Sequence, residues 1–335
     1  MKIIWKVIII AIIAGLALAV LGLSMGASRT VYLNKSGVHI DDGEVIRVTE
    51  SNLDYFKSII IDTDFSDVQF ISADEYGIDV SGYDMECDWS LENGILKITH
   101  KYIKKLRLSL SYWSSERNYV KVYFPKDSVL ETVTINCDSG DISIGSFQAD
   151  SLHIRNLFGD VELHSITSDD LRIDIDSGKL KGADLNARSL FYNNKFGDGS
   201  FQTVSAERFA ADSDSGDLEL NGCEFEDIVI KSKFGKTAAN GVISSGADIY
   251  SDSGDLILSG EFSGETVIRS KFGDVILTSS LKKDDYSYDI NVTFGSIKFG
   301  DDRMGSDASI KSSIESQNSL KITVSSGDVE VNFAK

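Results

Sequence analysis

Four aspartates, Asp138, Asp176, Asp214 and Asp252, recur 38 residues apart. If two stacked layers of strand separate each pair, their carboxylates stand about 9.6 Å apart, at the upper edge of the spacing used by inverting glycosidases. A catalytic acid–base pair occurs once, whereas this column recurs, as structural residues do. Asp138/Asp141, Asp214/Asp217 and Asp252/Asp255 bracket glycine turns whose carbonyls and carboxylates could hold calcium. The Gly-Gly-x-Gly-x-Asp nonapeptide of calcium-binding repeats is absent, and the plainer expectation is that Asp caps the turn through its side chain while Gly supplies φ > 0. His39, His100, His153 and His164 share no periodic position with a cysteine or a suitable base, so no Ser-His-Asp or metal-ligand arrangement is legible and they read as solvated surface residues. Cys87, Cys137 and Cys223 make an odd, widely spaced set with no disulfide framework; Cys137 and Cys223 read as buried small hydrophobes. No catalytic residue, cofactor or metal ligand is assigned.

A different chemistry is offered between residues 97 and 121. Lys97, Lys101, Lys104, Lys105, Arg107, Arg117 and Lys121 face Glu116 alone, with Tyr102, Tyr112, Trp113 and Tyr119 interleaved. Lys101, Lys104, Lys105, Arg107, Tyr112 and Trp113 are the expected anion- or surface-binding set, because cations with aromatics suit anionic headgroups or wall polymers. The competing expectation is that Leu106, Leu108 and Leu110 alternate with Arg107 and Ser109 as one strand, whose wet face balances an acidic remainder. That remainder is strongly acidic: 52 acidic against 33 basic residues give a net charge of −19, and every acidic residue lies after residue 40. Such a field repels phosphate backbones and argues against a nucleic-acid partner.

The element that must position these residues is a repeat. Gly140, Gly159, Gly178, Gly197, Gly216, Gly235, Gly254 and Gly273 are each 19 residues apart, and Gly295 and Gly327 follow after intervals of 22 and 32 that read as loop insertions. Each unit alternates apolar and polar residues at period two: Leu152/Ile154 and Leu171/Ile173 before the glycine point inward, and Val161/Leu163 after it line a second inner wall. The residue before the glycine alternates Ser139, Phe158, Ser177, Phe196, Ser215, Phe234, Ser253, Phe272, and the preceding one alternates Asp with Lys from Asp176 to Lys271. Parallel rungs about 4.8 Å apart make these residues direct neighbours, so each ring spreads over a serine within the interior and each charge meets its opposite. A meander would separate them by an intervening strand, and a propeller blade would place its strands in unlike environments; the near-identity of successive units favours a solenoid.

Asp-Ser-Gly-Asp and Phe-Gly-Asp turns repeated behind one N-terminal apolar segment resemble the bacterial β-strand-repeat family labelled putative adhesin, a domain of unknown function. Residues 56–61, 120–125 and 320–331 follow its pattern too, so the resemblance spans roughly 55–335. It implies a right-handed β-helix-like fold on the outer side of a bacterial membrane. Some members accompany envelope-stress systems, and the family offers no catalytic residue to carry over.

Residues 7–28 carry no charge and are long enough to cross a bilayer; Lys2, Lys6 and Trp5 precede them and only Arg29 follows closely. Positive-inside bias places the N-terminus in the cytoplasm. A cleaved signal peptide is the rival, with a weak cleavage site. The expected organisation is a cytoplasmic tail 1–6, a signal anchor 7–28, a juxtamembrane linker 29–44, a β-rich cap 45–130 and an all-β solenoid 131–335, closed at its C-terminal end by the rung 320–333 through Glu330 and Lys335. The expected role is a binding, adhesin-like or scaffold module whose partner is a wall polymer, an anionic lipid or a membrane protein. An envelope-stress sensor and a wall-glycan-active enzyme are the alternatives.

Overall fold

The computed structural model describes residues 2–25, 30–34, 37–40, 45–103, 106–109, 117–126, 128–312 and 315–334. Helix α1 (Lys2–Ser24) is built from an almost unbroken aliphatic run, and within it Ile4–Gly22 is long and apolar enough to cross a membrane while packing against nothing in the protein. Beyond it, Thr30–Asn34 pairs antiparallel with Gly37–Ile40 and with Leu106–Ser109, so the stretch read as a linker contains strands.

The repeat folds as a β-solenoid. Neighbouring units pair in parallel at an offset of 19, carrying one inner column through Val133, Leu152, Leu171, Leu190, Phe209, Ile228 and Ala247, all buried. This parallel pairing excludes a meander and a propeller. The two inner walls legible in the sequence are joined by a third, formed in successive rungs by Phe147, Ile166, Leu185, Val204, Cys223 and Val242. Strict alternation would leave this wall outside. It turns inward because Ser146, Ser165, Asp184, Thr203, Gly222 and Gly241 adopt φ between 54° and 62°, a left-handed corner that shifts the in–out phase by one residue.

The glycine turns stack directly on one another. The Gly140 N–H donates to the Phe158 carbonyl (2.9 Å) and the Gly159 N–H to the Ser177 carbonyl (3.1 Å), and the pattern repeats along the column. From inside the rung a polar column secures the same turns: the buried Asn156 Nδ2 donates to the carbonyls of Gly140 (3.1 Å) and Gly159 (3.0 Å), and Ser251 Oγ to that of Gly254 (3.1 Å). Cys137 occupies this column and Cys223 the third wall, both buried as expected. Where an aspartate follows the turn glycine, and at Asp67 after Ser66, it caps across rungs rather than within its own turn. Asp67 Oδ1 accepts from the Asp141 N–H, Asp141 Oδ1 from the Asp160 N–H and Asp160 Oδ1 from the Lys179 N–H, at 2.8–3.0 Å. These carboxylates are therefore engaged by backbone donors, and among the described residues no group of three or more His, Cys, Asp or Glu could hold a metal ion.

Both ends depart from chain order. Within the expected cap, residues 58–73 form a rung of their own, with Ser66 in place of the turn glycine; Gly140 stacks on it. Ile95–Tyr102 and Tyr119–Pro125 then form an outer layer parallel to that rung, sealed by the antiparallel strands Met85–Glu92 and Gly77–Tyr83. At the other end Asn318–Ser326 and Val329–Phe333 slot between the Gly273 rung and Tyr286–Phe294, so the rung of Gly295 is outermost. The intervals of 22 and 32 do hold inserted segments, Lys283–Asp285 in the first and the strands Asp302–Met304 and Ala308–Lys311 in the second, but the rung order is also reversed, so the rung 320–333 is not the closing one. Glu330 pairs with Lys298 of the outer rung, which Asp302–Met304 and Ala308–Lys311 seal antiparallel; Lys335 lies outside the described residues. Spacing could not reveal the order, because any rung presents the same edge to any other. An unsealed parallel end would offer free N–H and C=O groups to another chain, and antiparallel strands cover it at both ends.

His100, read as a surface residue, is fully buried in the outer N-terminal layer, its Nδ1 sharing a 2.8 Å hydrogen bond with Ser66 Oγ. Burial pushes the imidazole down to about 4, against the opposing pull of Asp64. Unfolded, it binds a proton near pH 6.5, so between the two values the unfolded chain holds more protons. The stabilisation is complete above about pH 6.5 and is lost as pH falls toward 4, by about 3 kcal/mol in all. His100→Gln should flatten the fall in melting temperature between pH 6.5 and 4.5; an unchanged slope would contradict the burial of a neutral ring. The other two described histidine side chains are half-exposed, His153 against Asp170 (3.0 Å) and His164 against Asp184 (3.5 Å).

Candidate functional site

The strands Leu180–Phe196, Glu224–Phe234 and Leu256–Phe272 each end on the phenylalanine that precedes a turn glycine. Alternation would place these rings inside. They are outside instead: exposure runs from 50% at Phe65 through 59% at Phe158, 62% at Phe196, 57% at Phe234 and 59% at Phe272 to 71% at Phe294. The chain bends into the glycine at this point, and the interior behind it is filled by the polar column of Asn156, Asn194, Ser232 and Ser270, so two successive residues face solvent. The expected burial of these rings is corrected accordingly. The alternation itself holds, and it extends further than the regular repeat. In space the order is Phe65, Ser139, Phe158, Ser177, Phe196, Ser215, Phe234, Ser253, Phe272, Ser326 and Phe294, with every Phe beside a Ser.

Beside the rings runs the charge column. Lys195 Nζ lies 2.7 Å from Asp176 and Lys271 Nζ 2.6 Å from Asp252, and Lys233 pairs with Asp214, so the expected opposition of charges on neighbouring rungs is present as three separate ion pairs. Hydrogen bonding from Lys271 holds the Asp252 carboxyl below the usual carboxylate range, opposite to the rise a general acid requires. In Lys233→Asp three acids would occupy adjacent rungs. The variant should melt below the wild type at low salt, with the gap narrowing as salt screens the repulsion; identical melting would contradict the stacking.

Adjoining this corner, an open groove of about 480 Å³ is lined by Arg155, Arg172, Asp174, Asn193, Lys195 and Asp212, among others. Asp174 is its anchor: Arg172 Nε donates to Oδ2 at 2.8 Å and Asn193 Nδ2 to Oδ1. Burial works to raise its pKa, but these donors outweigh it and hold the carboxyl below its ordinary range. Fixed donors and acceptors beside flat apolar rings can recognise a ligand that is apolar on one face and rich in hydroxyls at its edge.

Of the expected anion-binding set, Lys101 lies on Ile95–Tyr102, where its ammonium already meets Asp62 (2.7 Å) and Asp64 (2.8 Å). Arg107 lies on Leu106–Ser109, opposite Tyr32, its side chain being outside the described residues, as are Lys104, Lys105, Tyr112 and Trp113. Of this set, only the Lys101 side chain lies among the described residues, and it is committed to the two carboxylates. The exposed ring column was not expected as a binding feature, although its signal, a Phe 19 residues from every Ser, was on view.

A family model described as Toastrack DUF4097 matches residues 56–190 and 167–332, almost the whole solenoid with its sealed ends. The chain belongs to the Toastrack DUF4097 family. This Toastrack chain is also similar to solved structures of low identity. A putative adhesin from Parabacteroides merdae shares 10% identity over 87% of this chain and 97% of that one, with a TM-score of 0.39. One from Parabacteroides distasonis shares 11% over 86% and 98%, with a TM-score of 0.38. A putative cell adhesion protein from Clostridium sporogenes shares 9% over 87% and 100%, with a TM-score of 0.21. No curated protein matches.

Proposed function

We propose that this Toastrack protein is a membrane-anchored, extracytoplasmic binding module of the bacterial envelope, adhesin-like in the sense that it presents a surface rather than a reaction centre. The observation that carries the reading is the uniform outer corner, on which six rings recur at every second rung with three ion pairs beside them. A repeated surface suits a repeated or extended partner, whereas catalysis needs one singular cluster. The apolar helix α1 supplies the anchor, with its N-terminus inside and the solenoid outside by the positive-inside bias of Lys2 and Lys6. The basic stretch of Lys104, Lys105 and Arg107 is a secondary contact for anionic polymer, since Leu106–Ser109 pairs with the first strand after α1.

The test places the full chain in phosphatidylcholine nanodiscs and incubates it with purified bacterial cell wall and, separately, with teichoic acid. Retention on wall material is expected, together with weaker, salt-sensitive retention on teichoic acid. Absence of retention on either would overturn the reading, and release of soluble glycan would replace it with the enzyme alternative.

A further inference from the structure

We infer that the column of Phe65, Phe158, Phe196, Phe234, Phe272 and Phe294 is a binding platform for an extended β-1,4-linked glycan, laid along the solenoid axis. The inference rests on the binding reading above and names its ligand class and site. Adjacent rungs are about 4.8 Å apart, so rings on alternate rungs recur about every 9.6 Å. In a β-1,4-linked chain successive sugars are turned over, so the same ring face returns at every second sugar, at a repeat close to this spacing. The C–H face of a pyranose is its apolar face and lies flat on a phenyl ring. Its hydroxyls project at the edge, where Asp174, Asn193 and the Lys195–Asp176 pair stand ready as fixed donors and acceptors.

Other occupants fit less well. The charges flanking the rings are already paired as Lys–Asp, and the whole chain carries −19, so a polyanion finds no net attraction here. A second copy of the chain would find a ridge one residue wide, broken by a serine at every other rung. At about 200 Å² per ring and roughly 60% exposure, six rings offer only about 700 Å², below the about 800 Å² per partner of a standard interface. The rings are too far apart to touch one another; Phe65 packs edge-on against Tyr102 at 5.6 Å, which leaves the five from Phe158 to Phe294 to stack on a ligand.

The experiment uses the full chain in phosphatidylcholine nanodiscs, with chitin as the β-1,4-linked probe and amylose as the α-linked control, which cannot extend in the same way. The variant is Phe196→Ser/Phe234→Ser/Phe272→Ser. Serine is already the native residue at this position on the alternate rungs, so the turn accepts it. Retention on chitin and not on amylose is expected, and the variant should lose it by at least about tenfold, equivalent to about 1.4 kcal/mol, with its melting temperature unchanged. The Phe196→Tyr/Phe234→Tyr/Phe272→Tyr chain keeps the ring faces and should remain bound. Equal retention of the serine variant, equal retention on amylose, loss of binding in the tyrosine variant, or a wild-type dimer that the serine variant converts to monomer would each overturn the proposal. Wild-type protein held by cell wall but not by chitin overturns the ladder assignment alone; failure on the wall as well overturns both readings.

Discussion

Gly216→Ala is expected to unfold the middle of the solenoid, at a cost on the order of 4–5 kcal/mol. Gly216 has φ +126°, in a region open to glycine alone, and a Cβ there would stand 1.8 Å from the Gly197 carbonyl oxygen of the rung beneath. Neither turn can yield separately, because the Gly216 N–H donates to the Phe234 carbonyl while the Gly197 N–H donates to that of Ser215. Relief would have to separate two rungs and forfeit their interlocking bonds. Gly222→Ala supplies the contrast: φ is +60° and a Cβ would meet nothing within 4 Å, so about 1 kcal/mol is expected. Chemical denaturation of the two variants checks the difference. Equal small effects would mean that the glycine column is not closely stacked.

Phe209→Ala should cost about 3–5 kcal/mol, the range for truncating a buried aromatic side chain. Its ring is wholly buried between Phe201 (5.3 Å, edge-on) and Phe225 (4.9 Å, stacked), and both would be left facing a cavity. Phe234→Ala, one rung away, should change stability by no more than about 0.5 kcal/mol, as exposed substitutions do. The same substitution at two phenylalanines of one repeat therefore separates core from surface. A large loss at Phe234 would return that ring to the interior and remove the basis for a glycan platform.

Why the inward side of Leu152 and Leu171 was legible and the outward side of Phe234 was not is a question of phase. Period-two alternation identifies the inward residues as long as the strand is straight, so the columns of Leu152, Leu171 and Leu190 could be read directly. At Phe234 the strand is already bending into Gly235, and one residue of bend reverses the side on which a side chain emerges. The left-handed corners at Ser146, Ser165, Asp184 and Thr203 hid the third wall in the same way, since nothing in a serine or an aspartate demands positive φ. His100 was misread because it sits outside the 19-residue beat, where no neighbouring repeat declares which face is buried.

By itself the sequence determined the period, the parallel stacking, the glycine turns and the pairing of Lys with Asp, because each depends on a residue meeting its own equivalent 19 positions away. The apolar helix followed from composition alone. Only the tertiary structure decided which rungs are outermost, since every rung presents the same hydrogen-bonding edge and chain order need not be spatial order. It alone decided, too, that the phenylalanines face outward, because the direction of a side chain at a corner is set by how the backbone turns around a filled interior. The pattern of residue types is identical for a ring buried over serine and a ring standing free beside it.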